Sequence, residues 1–409
     1  MSGESHDADH EGTKSDSGGG ARAPLIEPPS LRTEEDRGAT RLELFFDLAY
    51  VLVVAQLASA FTENLTWTGA GVFAGLFTVT WWSWVTTTLY ANRFDTNDVL
   101  YRVLKLAGTF AVAIMAASAV GAAGPEADIF AGGYLLTRIL LIVLYIRAWR
   151  HVPEARSGVA IYLAGTMISS VFWAVSIFVP GSAQFVLWGI GIAIEAAAPL
   201  AATKWQISVP LHLDHLPERF GLFVILVLGE SISAIVLGMH EAHWAWASVV
   251  TALIAFVVAA AVWWIYFDLG GAEAKEELQD EDHAHDSGAA DRYVYGHLPL
   301  VIGAAAIGVG IEQYVLHPIG ELTAGGRWAL CGGIAIFLIG VSAVVAGSSR
   351  SWRSVWPWPA AAIPLFVVVG IVDSEVPYAA AGVLAIALLV LVIGGIRRQR
   401  RNLIATQET

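Results

Sequence analysis

The chain has 409 residues, of which 56% are hydrophobic and only 14% are charged, well below the charged share of about 25% in soluble domains. Its apolar residues fall in uninterrupted runs of roughly 20, the length that crosses a hydrocarbon core of about 30 Å. These properties exclude a soluble globular enzyme and predict an all-α, polytopic helical membrane protein. The formal net charge of −13 lies largely in two polar segments and is not a nucleic-acid-binding pattern.

The polar segments divide the chain into a membrane domain and two tails. Residues 1–39 are rich in Ser, Gly, Asp and Glu and are predicted to be a disordered cytoplasmic tail, because they bury too little apolar surface to offset their ordering entropy. Residues 40–396 form the transmembrane domain, with an acidic cytoplasmic loop at 269–295, and residues 397–409 form a basic cytoplasmic tail. About twelve transmembrane helices are predicted: 42–61, 68–90, 103–120, 129–146, 159–179, 185–203, 220–239, 244–267, 298–315, 328–345, 360–372 and 378–396.

The basic residues of the connections predict the orientation. Connections that follow even-numbered helices, and the C-terminal tail, carry nearly all of the Arg and Lys, whereas those that follow odd-numbered helices carry only Arg327. Cytoplasmic loops of inner-membrane proteins retain Lys and Arg. The pattern therefore predicts a multi-pass protein of the inner (plasma) membrane with both termini in the cytoplasm.

The two halves of the membrane domain share landmarks. Glu43 at the start of the first helix recurs as Glu218 at the start of the seventh, and the Trp81-Trp82 pair recurs as Trp263-Trp264. Six helices per half would give residues 40–205 and 216–396 the same orientation, related by an axis along the membrane normal. Apolar helices also match by chance, so both a duplication and a coincidental likeness stay open.

The second predicted helix carries two packing signals. Gly71 and Gly75 have the small-xxx-small spacing that favours close helix contact. Trp81, Trp82 and Trp84 are more clustered than an interfacial aromatic belt requires, and packing inside the bundle is favoured over lining a solute cavity.

Ionisable residues inside the predicted helices are the best candidates for a functional site, because each costs at least about 2.5 kcal/mol to insert. Arg138, Glu195 and Glu230 fall near the midplane when 1.5 Å per residue is counted from the helix ends. One hypothesis is that Arg138 neutralises one carboxylate and leaves the other to exchange protons, as a proton-coupled transporter needs. The alternative is a static network that pins the helices together.

The first predicted helix has an acidic pair near its start. Glu43 and Asp47 stand one turn apart on one face, which predicts an acidic cytoplasmic mouth. Alternatively, Glu43 lies in the headgroup region, stabilised by the helix N-terminus, and pairs with Arg41 or Arg219.

Several sequence blocks resemble the bacterial low temperature requirement A family. They are Arg-Leu-Glu-Leu-Phe-Phe-Asp-Leu at 41–48, Asn-Arg-Phe-Asp at 92–95, Pro-Glu-Arg-Phe-Gly-Leu at 217–222, Gly-Glu-Ser at 229–231 and Trp-Trp-Ile-Tyr-Phe-Asp at 263–268. The resemblance implies an integral bacterial membrane protein linked to growth in the cold, and it implies no catalytic residues. It singles out a set of residues at predicted cytoplasmic helix ends: Asp95, Glu218, Arg219 and Asp268.

Two functions follow as hypotheses. The first is a secondary transporter of an unidentified small solute, coupled to protons through Asp47, Glu230, Glu195, Arg138 and Glu43. The second is a non-transporting protein that senses or supports the state of the bilayer in the cold. We expect no enzymatic activity, because the sequence shows no convergent nucleophile or metal-ligand set. We likewise expect no cofactor, no metal and no nucleic-acid partner; the lipid bilayer is the expected surrounding.

Overall fold

The computed structural model describes residues 25–32, 40–213, 215–270, 287–349, 362–372 and 374–407. Within them, twelve α-helices follow one another in chain order. They are α1 (Arg41–Glu63), α2 (Trp67–Arg93), α3 (Val99–Ser118), α4 (Ala127–His151), α5 (Arg156–Ser176), α6 (Ser182–Lys204), α7 (His215–Glu241), α8 (Trp246–Trp264), α9 (Ser287–Leu316), α10 (Ala324–Ser349), α11 (Ile363–Ile371) and α12 (Pro377–Gln407). A 3₁₀ turn (Pro153–Ala155) precedes α5, and a π-helix (Ile265–Gly270) continues α8.

Each of the twelve predicted segments coincides with one of these helices. Ten of the helices are long and apolar enough to cross a membrane, which confirms a polytopic helical membrane protein. The exceptions are α2, whose many Thr and Ser residues lower its hydropathy, and α11. The nine residues of α11 rise only about 14 Å at 1.5 Å per residue, less than a hydrocarbon core.

The helix α2 is the central helix of the first half of the chain. It contacts α1, α4, α6, α7 and α9, and every residue from Val79 to Arg93 is buried. A helix enclosed on all sides can carry polar groups only if neighbouring helices satisfy them. The Ser and Thr side chains between Val79 and Arg93 therefore face the protein, where they are available to bind the charged residues of the bundle.

Glycines allow α9 and α10 to pack backbone against backbone. A Cβ added at Gly310 would lie 2.3 Å from the Leu330 nitrogen, and one added at Gly303 would lie 2.4 Å from the Phe337 nitrogen. The sequence predicted such packing at Gly71 and Gly75 of α2. This prediction was wrong, because a Cβ added at either glycine would meet nothing within 4 Å. Small residues permit close approach only where another helix crosses them.

The Trp landmarks of the two halves occupy different surroundings. Trp81 and Trp82 are 1% and 2% exposed, whereas Trp263 and Trp264 are 43% and 41% exposed. The buried pair packs inside the bundle, as does Trp84. Whether the halves arose by duplication stays a prediction.

A short segment of the predicted disordered tail is ordered. Residues 25–32, here called the N-terminal strap, include the strand β1 (Ser30–Leu31), which pairs antiparallel with β2 (Phe94–Asp95) just after α2. The remaining residues of the predicted tail, 1–24 and 33–39, lie outside the described residues. So do residues 271–286 of the predicted acidic loop and residues 408–409 of the basic tail, whose first part continues α12.

We expect the Gly310→Ala variant to melt at a lower temperature than the wild type, because the methyl group has no room against Leu330. Overpacking of this kind costs about 1–3 kcal/mol. The matched Gly71→Ala variant should melt at the wild-type temperature or slightly above it, since the added methyl group is unopposed and Ala favours helix by up to about 1 kcal/mol. Thermal unfolding in detergent checks both; equal melting of the two variants would contradict the packing.

Candidate functional site

Arg138 and Glu195 form a buried ion pair between α4 and α6. The Arg138 Nη1 atom lies 2.7 Å from the Glu195 Oε1 atom, and the side chains are 0% and 2% exposed. All five N–H groups of the guanidinium are matched by hydrogen bonds. The acceptors are the Glu195 carboxylate, the Thr86, Ser83 and Thr137 hydroxyls, and the Ser83 carbonyl.

The carboxylate of Glu195 is equally well held. Its Oε2 atom accepts a hydrogen bond of 3.0 Å from the Tyr134 hydroxyl and one of 3.4 Å from the Ser169 hydroxyl on α5. The Thr166 hydroxyl lies 3.4 Å from Oε1. A buried pair whose remaining lone pairs and protons are satisfied escapes most of the desolvation penalty. The ion pair and its hydrogen bonds are therefore suited to fixing the relative positions of α2, α4, α5 and α6.

Asp47 forms a second buried ion pair, between α1 and α7. Its Oδ1 atom accepts hydrogen bonds from the Trp84 indole at 2.8 Å and from the Arg219 Nη2 atom at 3.0 Å. Asp47 is 1% exposed and Arg219 is 6% exposed. The two ion pairs approach each other along α2, where Trp84 follows Ser83 directly. The Ser83 hydroxyl accepts a hydrogen bond from Arg138 and lies 3.0 Å from the Tyr50 hydroxyl of α1.

Nearby cationic side chains compensate the charge of Glu43 in the predicted acidic mouth. Glu43 closes a capping box with Thr40 at the start of α1, and it is attracted by Arg219 and Lys105. Lys105 is buried on α3, with its Nζ atom 3.8 Å from the centroid of the Phe46 ring. The alternative interpretation of Glu43, a helix-terminal residue close to Arg219, thus describes the arrangement better than a bare acidic mouth does.

Glu230 is the exception among the candidate carboxylates. It is partly buried on α7, where its Cγ atom would lie 3.2 Å from a Cβ placed on Gly308 of α9. Its charge in turn acts on another acid, Glu312, one turn beyond Gly308 along α9. Among the residues that the structure describes, no cationic side chain forms an ion pair with Glu230.

The remaining family-motif residues lie at helix ends. Asp95 is in β2, opposite Ser30. Glu218 is exposed, 3.6 Å from the His215 Nδ1 atom. Asp268 is exposed in the π-helix, and its carbonyl accepts a hydrogen bond from Gln399 of α12. The structure therefore brings Asp47, Glu43 and Arg219 together.

Sequence reasoning missed Lys105 and the pair Asp98–Arg147. Lys105 lies inside an apolar run, so the cost of an intramembrane charge could have identified it. Asp98 caps α3 and binds Arg147 at the end of α4. Nothing in the sequence connects these residues, because they lie 49 positions apart on different helices.

Asp98 and Arg147 hold the N-terminal strap. The Glu27 amide donates a 2.9 Å hydrogen bond to the Asp98 Oδ2 atom, and Arg147 donates to the Glu27 carbonyl. Burial raises the pKa of Asp98, but the hydrogen bonds from Arg147 and from the Glu27 and Tyr101 amides outweigh it, so the pKa lies below its usual value of 3.8.

The fold and these charges define a multi-pass helical membrane protein with a polar centre. A family model described as the bacterial low temperature requirement A protein matches residues 38–394, and the chain belongs to this family. A similar curated protein, described as uncharacterized, comes from Rhizobium meliloti (strain 1021); it is 28% identical over 325 residues, which cover 75% of this chain and 77% of the relative. No solved structure matches the chain.

We expect the Arg138→Met variant to be strongly destabilised, because it leaves the Glu195 charge buried without a partner. The loss of one partner of a buried pair costs about 3–5 kcal/mol. The double variant Arg138→Met with Glu195→Leu should recover much of this loss, since no charge then remains. Thermal unfolding of the single and double variants gives the coupling; a double variant as unstable as Arg138→Met would contradict the assignment.

We expect the N-terminal strap to stay docked from neutral pH down to about pH 4 and to detach in stronger acid. The folded-state pKa of Asp98 is lowered from 3.8, so the stabilisation is fully present above that value and is lost as the pH falls through the folded pKa. Hydrogen exchange of residues 25–32, corrected for intrinsic rates, measures it. Detachment between pH 5 and 7 would contradict the assignment.

Proposed function

We propose that the protein is a proton-coupled secondary transporter of a small solute, with Glu230 as the residue that exchanges the proton. The observation that carries the proposal is the difference between Glu230 and the other buried acids. Asp47 and Glu195 are each bound to an arginine, whereas Glu230 has no cationic partner among the described residues. An uncompensated carboxylate inside a membrane protein is costly and is a functional-site hypothesis by default.

The surroundings of Glu230 support movement more than a fixed contact. The side chain lies against Gly308, where α9 presents no side chain of its own. No hydrogen bond to the Glu230 carboxylate is found among the described residues, in contrast to the network of bonds around Glu195. A carboxylate without fixed donors can bind and release a proton without breaking a bonded network.

The distribution of basic residues supports the proposed orientation. The structure gathers Arg93 at the end of α2, Arg147 near the end of α4 and the strap at one end of the bundle, here called the basic end. Since positively charged ends of helices remain in the cytoplasm, the proposal places the basic end at the cytoplasmic face of the plasma membrane. Asp47 and Arg219 then lie on the cytoplasmic side of the centre.

We expect the Glu230→Gln variant to fold normally and to lose proton flux, because it keeps the shape of the side chain but carries no exchangeable carboxyl proton. Proteoliposomes with an imposed pH and voltage gradient and a mixed-solute screen measure the flux. The matched control is Glu63→Gln, an exposed glutamate at the end of α1, which should transport like the wild type. Wild-type flux in Glu230→Gln would remove Glu230 from the mechanism.

A cavity supports the second candidate, a protein that senses or supports the state of the bilayer. At the opposite end from the strap, an apolar cavity of about 400 Å³ lies between α1, α2, α9 and α10 and includes Phe61 and Phe73 in its lining. Trp67 and Trp328 meet beside it at 5.8 Å between ring centroids. Under this alternative, the wild type shows no flux in the same vesicles, and its melting temperature varies with the unsaturation of the lipid chains.

A further inference from the structure

The N-terminal strap crosses the basic end of the bundle and is tied to three neighbouring parts of it. At the end of α2, the Arg32 amide donates a 3.1 Å hydrogen bond to the Arg93 carbonyl. At the start of α3, the Leu100 amide donates to the Leu25 carbonyl at 3.4 Å. Between α6 and α7, the His212 ring contacts the Arg32 carbonyl. The strap therefore bridges helix ends that are distant in the sequence.

The end of the strap lies near the start of α1, where the acidic residues begin. Leu31 of the strap and Leu42 of α1 pack against the same buried cluster, and the charge of Arg32 acts on the Glu43 carboxylate. Glu43 is the outermost acid on the helix that carries Asp47.

At the basic end, three side-chain nitrogen atoms are buried without a hydrogen-bond partner among the described residues. They belong to Arg32 (Nε), His215 (Nε2) and Arg219 (Nη1). Buried polar atoms left unpaired are costly, and water or a polar solute would satisfy them. Water would therefore tend to enter the mouth, and the hydrogen bonds of the strap oppose its entry.

We propose that the N-terminal strap closes the mouth that leads to Asp47 and that its release from Asp98 and Arg147 admits water and the transported species. The proposal rests on the proposed transport function. Closure itself is a property of the structure that can be measured without any flux.

The direct test measures how fast a small charged methanethiosulfonate reagent reaches the mouth. A reporter cysteine is placed at Thr88, which is buried on α2 one turn from Trp84 towards the basic end, in a background where the buried Cys331 is replaced by serine. The protein is held in lipid nanodiscs, so both faces meet the reagent. Hydrogen exchange of residues 25–32 reports separately whether the strap is docked.

We expect Asp98→Asn to release the strap and to raise the labelling rate about tenfold, the effect of losing a charge-assisted hydrogen bond worth about a factor of ten. Asparagine still caps α3, so the helix start is preserved. The matched control, Asp128→Asn, removes a carboxylate from the first turn of α4 at the other end of the bundle and should leave the labelling rate unchanged. If Asp98→Asn does not fold, Arg147→Gln, which removes the guanidinium that binds the Glu27 carbonyl, takes its place with the same expectation.

A disulfide lock tests the opposite state. Ser30 and Asp95 are direct partners in the strand pair, so Ser30→Cys with Asp95→Cys should form a bond on oxidation that fixes the strap. Flux in proteoliposomes should fall on oxidation and return on reduction, whereas Ser30→Cys alone should not respond.

The two proposals fail in different ways. Faster hydrogen exchange in Asp98→Asn with an unchanged labelling rate overturns closure by the strap, and so does flux that is the same in the locked and reduced states. Faster labelling in Asp98→Asn together with no flux in any variant supports closure and overturns the transport function instead.

Discussion

The buried contact between Arg138 and Glu195 is the constraint on which the rest of the structure depends. A guanidinium with five donors cannot stay inside a bundle unless each donor finds an acceptor, and α2 supplies most of them through Ser83 and Thr86. This requirement explains why α2, a long helix that falls short of membrane-spanning hydropathy, is buried from Val79 to Arg93. The polar face of α2 thus supplies hydrogen-bond acceptors to a single charged side chain on α4, Arg138.

Once this centre is fixed, the other charges divide into two kinds. Asp47 and Arg219 bind each other and, through Trp84, the same central helix. They link α1 and α7 to the centre. Glu230 belongs to the other kind, since it is held by no cation among the described residues. In the proposed mechanism the paired charges keep the bundle in register, and the unpaired one carries the proton.

The sequence was sufficient for the helices, because apolar runs of membrane length are a local signal. The cost of intramembrane charges singled out Arg138, Glu195 and Asp47 but was not applied to Lys105. The sequence could not show which charges meet. Arg138 pairs with Glu195 rather than with Glu230, and that choice depends on which helices neighbour α4. The strap was missed for the same reason, since residues 25–32 are too short to form a membrane-length apolar run and are held by distant residues such as Arg93, Asp98 and Arg147. Gly71 and Gly75 carry the right spacing, but no helix crosses them.

The central claim, that the unpaired carboxylate and not the paired ones exchanges protons, is tested most directly by infrared difference spectroscopy of the protein in bilayers between two pH values. The account predicts a protonated-carboxyl band that changes with pH in the wild type, persists in Asp47→Asn and disappears in Glu230→Gln. A band that survives in Glu230→Gln and disappears in Asp47→Asn would contradict it, because the paired carboxylate would then be the one that takes up the proton.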